Sequence, residues 1–294
     1  MTHDKTVSQH ERPPRLALVL GSGGMRGAAA IGIVEVLARA GLRPDLVVGC
    51  NSGALFGATA VLGVSPETSL RLSAELWCLE LTEQRRWLGY LQLAAPWLAG
   101  FDEGFSLRSN KLIVQRLQQA FGHLNIEDLR TPLRIAATEA ATGRAAILSR
   151  GSLALALQAS IAAPLLFPAV NFEGRRLVDG VVSDPLPLGA AADAEVVVAL
   201  GLRATMPQRV DRASQLVAQA STAMLNNLYD ARLDAARARG QRLIELELEL
   251  SQPVGPWGAA ALPALYLAGG RAAMVALPAI ERALASADGA RRAA

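Results

Sequence analysis

Three short stretches carry side chains whose types and spacing fit acyl chemistry. The first is Gly49-Cys50-Asn51-Ser52-Gly53, set between the apolar run 45–48 and a helix-forming run 54–62. The order strand, Gly-x-X-x-Gly, helix makes a sharp turn that strains its middle residue and exposes that side chain, the geometry of a nucleophile elbow. The middle residue is Asn51. A carboxamide is a poor nucleophile because its nitrogen lone pair is delocalised into the carbonyl. Asn tolerates positive φ better than most residues, so the turn can persist without a reactive group. Ser52 follows, in the first helical turn, where a hydroxyl ordinarily satisfies backbone donors. The second stretch is the glycine loop Gly21-Ser22-Gly23-Gly24-Met25-Arg26-Gly27. Its backbone amides converge at a helix start and suit an anion or an oxyanion. Its glycines do not space as G-x-G-x-x-G and it lacks the lysine of a P-loop. The third is Leu177-Val178-Asp179-Gly180-Val181, which puts a carboxylate at a strand end before a glycine.

Positioning these stretches requires a sheet. Residues 15–20, 45–48 and 195–202 are short apolar runs of the kind found in buried parallel strands. Helix-forming runs follow the first two, at 28–40 and 54–62, so strand and helix alternate as in a sheet covered on both faces. Residues 66–79 and 110–121 read as further helices, and 133–138 with 144–148 as paired strands turning at Thr142-Gly143. Residues 153–160 read as a short helix, and 170–182 as a hairpin turning at Glu173-Gly174. In the last third, 209–239 is a long helix pattern and 243–250 alternates Leu or Ile with Glu as a half-exposed strand. The apolar stretch 258–279 is interrupted by Gly269-Gly270-Arg271 and reads as two helical pieces within 262–285.

Composition excludes several classes. Of 294 residues, 51% are hydrophobic and 19% charged, enough apolar material for a sizeable core and too much for a disordered chain. Aromatics are only 4% and the arginines are scattered, which argues against a nucleic-acid surface. Cys50 and Cys78 cannot make a disulfide framework, and no Cys/His cluster has metal-ligand spacing, so neither metal nor cofactor is expected. Three histidines, two of them in the polar stretch before Pro13-Pro14, leave little for a histidine-based triad. Residues 1–14 read as a disordered tail without the apolar core of a secretory signal. The apolar stretch 153–170 contains Pro164 and Pro168, which break a spanning helix.

Taken together, the glycine loop, the elbow, Ala159-Ser160-Ile161-Ala162-Ala163-Pro164 with Phe167-Pro168, and Asp179-Gly180 resemble, in this order, the patatin-like phospholipase family, in its small bacterial branch. The resemblance covers roughly 15–202. It implies an α/β fold, a three-layer α/β/α sandwich with a mainly parallel central sheet. A helix–strand–helix extension would occupy 203–286 and a short tail 287–294. It implies hydrolysis of phospholipid or lysophospholipid esters by a Ser/Asp dyad. Asp179 would be the base, Gly23 and Gly24 the oxyanion amides, Arg26 the loop-orienting arginine, and Gly49 and Gly53 the elbow glycines. Asn51 stands where the family has its serine, and Val181 stands where Gly or Ala usually follows Asp-Gly.

Three readings follow from that departure. One is a hydrolytically impaired relative that binds an acyl lipid, a fatty acid or a protein partner. Another is an active esterase rewired through Ser52, with Ser22 and Cys50 as weaker candidate nucleophiles. The last is a scaffold without ligand. Trp87, Tyr90, Trp97, Phe101 and Phe105 would cap an acyl pocket or touch a lipid interface, or simply pack beneath a long connection. The expected location is cytoplasmic, with peripheral contact to a membrane.

Overall fold

The computed structural model describes residues 13–207 and 209–293. The tail expected over 1–14 lies outside the described residues except for Pro13 and Pro14, where the Pro14 carbonyl accepts the Glu195 N–H at 2.9 Å. Among the described residues the chain builds one eight-stranded sheet. Its strands are β1 (Leu16–Leu20), β2 (Leu46–Cys50), β3 (Leu133–Glu139), β4 (Ala145–Leu148), β5 (Val170–Phe172), β6 (Arg175–Asp179), β7 (Val196–Leu200) and β8 (Leu243–Glu245). The order is β5-β6-β3-β2-β1-β7-β8, with β4 paired to β3 off this path. β3, β2, β1, β7 and β8 run parallel, whereas β4, β5 and β6 are antiparallel additions. Every residue of β1, β2 and β7 is buried, so these strands read in sequence as unbroken apolar runs rather than alternating ones.

The helices are α1 (Ala30–Arg39), α2 (Ser52–Val61), α3 (Pro66–Leu76), α4 (Trp87–Ala94), α5 (Pro96–Ala99), α6 (Lys111–Phe121), α7 (Leu153–Ser160), α8 (Ala213–Ala238) and α9 (Leu262–Ala293). β1 neighbours β2 on one side and β7 on the other, so the chain reverses its winding there. A crevice at the carboxyl ends of the strands is the ordinary ligand site at such a switch point. The glycine loop leaves β1 at that end, and the elbow leaves β2.

Two expectations are corrected in the C-terminal third. The strand expected over 243–250 pairs only as Leu243–Glu245, because its partner β7 stops at Leu200 and offers no further ladder. Leu246 is still buried and Leu248 and Leu250 still pack on the core, so the alternation records burial rather than pairing. The two helical pieces expected around Gly269-Gly270-Arg271 are one continuous helix, and it runs past 285 to Ala293. The glycines are there for close approach, since a Cβ on Gly269 would collide with the Ala29 backbone, and one on Gly32 of α1 with the Tyr266 carbonyl. α9 is long and apolar enough to cross a membrane by length and composition, but it lies against α1 with Leu265, Ala268, Ala273 and Ile280 buried.

Candidate active site

The elbow between β2 and α2 is tight at both ends. A Cβ on Gly49 would overlap Ala54, and one on Gly53 would overlap the Leu20 carbonyl of the neighbouring strand. Asn51 sits between them at φ 55 and ψ −123, in backbone space that favours glycine. Strain of this kind persists only where surroundings over-determine it, and here they do. The Asn51 N–H donates to Ser160 Oγ at 2.9 Å, and Ser160 Oγ donates onward to the Ala136 carbonyl of β3 at 2.7 Å. Ser160, wholly buried at the end of α7, therefore ties the elbow to the next strand.

The Asn51 side chain is held from both sides. Its Oδ1 accepts the Ser52 N–H at 2.7 Å, and its Nδ2 donates to Asp179 Oδ2 at 2.6 Å. A backbone N–H can only donate, so the amide must face the carboxylate. Asp179 ends β6 and is 1% exposed. Its Oδ1 accepts the Val181 N–H at 3.0 Å, its own N–H donates to the Ala162 carbonyl at 3.0 Å, and its carbonyl accepts from Thr138 Oγ1 at 2.8 Å. Burial pushes the Asp179 carboxyl up to about 7, against the lowering effect of the Val181 and Asn51 hydrogen bonds. A carboxylate tuned to neutrality is suited to general-base work.

The glycine loop closes the third side. Gly21 N–H donates to Leu200 O at 3.0 Å and Ser22 N–H to Pro185 O at 2.9 Å. The Gly23 N–H donates to Ser52 Oγ at 3.2 Å. Gly24 opens a 3-10 turn, a position whose N–H has no partner inside its own helix.

A family model described as patatin-like phospholipase matches residues 18–192. The chain belongs to the patatin-like phospholipase family. An uncharacterized NTE family protein of Mycobacterium tuberculosis is 32% identical over 191 residues, 64% of this chain and 49% of that protein. Neuropathy target esterase sws of Drosophila persimilis is 32% identical over 177 residues, 58% of this chain and 11% of that protein. The chain thus matches half or less of the length of these curated relatives. Among solved structures, VipD from Legionella pneumophila aligns with a TM-score of 0.46 at 15% identity, covering 90% of this chain and 67% of that one.

The elbow, the glycine loop and Asp179 meet at one point, with Ser160 of the 159–168 stretch bonded to the elbow from behind. The other nucleophile candidates do not join Asp179 there. Ser52 is fully buried and its Oγ accepts from the glycine loop, rather than from donors of its own helix as the sequence suggests. Cys50 is buried beneath the elbow, and desolvation followed by the nearby Asp179 and Asp184 charges keeps its thiol well above the usual range. Ser22 is half-buried in the glycine loop. Arg26 donates to the Arg203 carbonyl at 2.9 Å and to the Gly23 carbonyl at 3.4 Å, so it braces the loop from behind without a carboxylate partner among the described residues.

The C-terminal third supplies a contact that the sequence does not announce. The Pro256 carbonyl accepts both the Met25 N–H at 2.9 Å and the Trp77 Nε1–H at 2.7 Å, and Trp257 stacks on Trp77 at 4.8 Å between ring centroids. Segment 255–257 therefore straps the glycine loop to α3. Ser160 was legible only as part of a matching stretch, and Thr138 and Pro256 carried no signal in sequence, because their roles arise from contacts across the sheet.

Proposed function

We propose that this protein is an acyl-lipid-binding member of the patatin-like phospholipase family whose ester hydrolysis is impaired. The observation that carries the reading is the 2.6 Å contact from Asn51 Nδ2 to Asp179 Oδ2. Asp179, the proposed base, is raised to about 7, but the group facing it is an amide. Asp179 has no hydroxyl proton to abstract there, and Asn51 has no lone pair free to attack a carbonyl. Ser52 does not substitute, because its hydroxyl is turned to Gly23 and buried.

An amide nitrogen carries two donors, and Asp179 takes one. The second, with the Gly24 N–H, offers an ester carbonyl or a fatty-acid carboxylate a place to accept. The elbow would thus hold an acyl group without cleaving it. The test is paired. Purified protein is assayed on nitrophenyl butyrate and on lysophosphatidylcholine, and native mass spectrometry follows with added oleate. Binding without turnover is expected. Turnover abolished by Ser52→Ala would replace this reading with that of a rewired esterase.

A further inference from the structure

The segment 87–101 is built inside out. From Trp87 to Phe101 there is no charged residue, and its large apolar side chains face water. Trp97 is 83% exposed, Leu98 72%, Trp87 71% and Phe101 68%, with Leu88, Leu91 and Leu93 also exposed. Its polar groups turn inward instead. Gln92 is buried with Nε2 directed at Asp102 Oδ2, 3.5 Å away. Arg86, at the base, folds back onto the Gly104 carbonyl and Ser106 Oγ. The hairpin is also firmly seated, since a Cβ on Gly89 would collide with the Ser106 carbonyl. This is no loosely packed connection with apolar residues out of place.

A second observation extends the surface. Leu165 has φ 69, a conformation that is a genuine outlier for leucine, and its side chain is 61% exposed. The strain turns an apolar side chain outward beside the hairpin. The Leu107 N–H donates to the Leu165 carbonyl at 2.8 Å and the Arg108 N–H to the Leu166 carbonyl at 2.9 Å. The same loop, through the Ala162 carbonyl, accepts the Asp179 N–H.

We propose that α4, α5 and Leu165 form a docking edge that inserts into the interfacial layer of a lipid bilayer. A protein partner is the poorer fit. Protein interfaces carry about one hydrogen bond per 100–200 Å², whereas the outward side chains of this hairpin offer almost none. Much of their backbone is already hydrogen-bonded within the turns of α4 and α5, as an apolar medium favours. Two tryptophans among leucines suit the boundary between headgroups and acyl chains. Charges at the base sum to −1, Arg85 and Arg86 against Glu83, Asp102 and Glu103, so docking is driven by apolar burial and not by anionic lipid.

The test is flotation of the full chain with phosphatidylcholine vesicles at low and high salt, with phosphatidylglycerol vesicles alongside. Binding to the neutral vesicles, little changed by salt, is expected. Trp97→Ser combined with Leu98→Ser should weaken it by at least about a hundredfold, given the free energy of burying two large apolar side chains. Both side chains are exposed, so the fold and its thermal midpoint should be kept. Val275→Ser, on an 83% exposed residue of α9, should leave binding unchanged. No binding to either vesicle overturns the proposal, as does binding that survives the double substitution. Self-association abolished by the double substitution, without vesicle binding, would assign the edge to a second copy and also overturn it. The readout uses no ester and no fatty acid, so its failure is distinguishable from failure of the acyl-binding reading.

Discussion

Replacing Asn51 with Ser tests the site most directly. Removing the nucleophile of a serine hydrolase typically costs about 10⁶ in kcat. The strained elbow, the buried Asp179 carboxyl and the glycine loop all lie around position 51. Restoring the hydroxyl should therefore recover much of that factor, but not all of it. The Gly23 N–H is already spent on Ser52 Oγ at 3.2 Å, so if Gly23 serves as an oxyanion donor, as proposed, it is engaged before substrate arrives. Loss of one such donor costs about 10²–10³. Asn51→Ser should accordingly raise kcat/KM on nitrophenyl butyrate by about 10³–10⁴ over the parent chain. Adding Ser52→Ala frees Gly23 and should contribute about a further 10²–10³. Because Asp179 must be ionised to act as base, the rate should climb with pH and level off above about 7. A folded Asn51→Ser protein that remains silent would refute the claim that the framework is otherwise complete. A Ser52→Ala addition that lowers the new activity would refute the oxyanion argument alone.

Four further outcomes are expected. The carboxyl of Asp179 is raised from 3.8 to about 7 in the folded state, so the folded chain binds the extra proton between those values. Its contribution to stability is full below about 4 and lost as pH rises through about 7, roughly a few kcal/mol in all. Thermal unfolding of Asp179→Asn should show a shallower fall between pH 5 and 8 than the parent, and an identical slope would show that Asp179 does not titrate there. Oleate binding, followed by native mass spectrometry or calorimetry, should weaken above about pH 7 as Asp179 gains charge, while a neutral acyl ester should bind without that dependence. Thiol labelling of the native protein should modify Cys78, which is half-exposed, and spare Cys50 until the chain is denatured. Ser160→Ala strips the part-buried Asn51 N–H of its acceptor, and unfolding in urea should register a loss of roughly 1–3 kcal/mol.

How much of this could be read before the fold was known depends on the range of the interaction. The elbow was legible because it is local. Two glycines flanking a strained residue, between an apolar run and a helix, report a turn within five consecutive residues. The hairpin turn at Glu173-Gly174 was legible for the same reason, both residues having positive φ. The glycine pair in α9 misled, because glycine signals a break locally and a close crossing tertiarily, and only the partner helix distinguishes them. The alternation in 243–250 promised a longer strand than its neighbour could pair.

By itself the chain determined the identity of each group: an amide at the elbow, a carboxylate before a glycine, amides in a loop, and an uncharged run of tryptophan and leucine. Those are matters of covalent chemistry. The tertiary structure decided which groups meet and in what state. Parallel pairing of β1 with β2, and of β2 with β3, sets the glycine loop beside the elbow and brings β3, with β6 alongside, next to it. Only that stacking buries Asp179, lifts its carboxyl toward neutrality, commits Ser52 to Gly23 and leaves the hairpin facing outward. Desolvation and hydrogen-bond direction depend on neighbours from tens to more than a hundred residues away, and no short pattern encodes them.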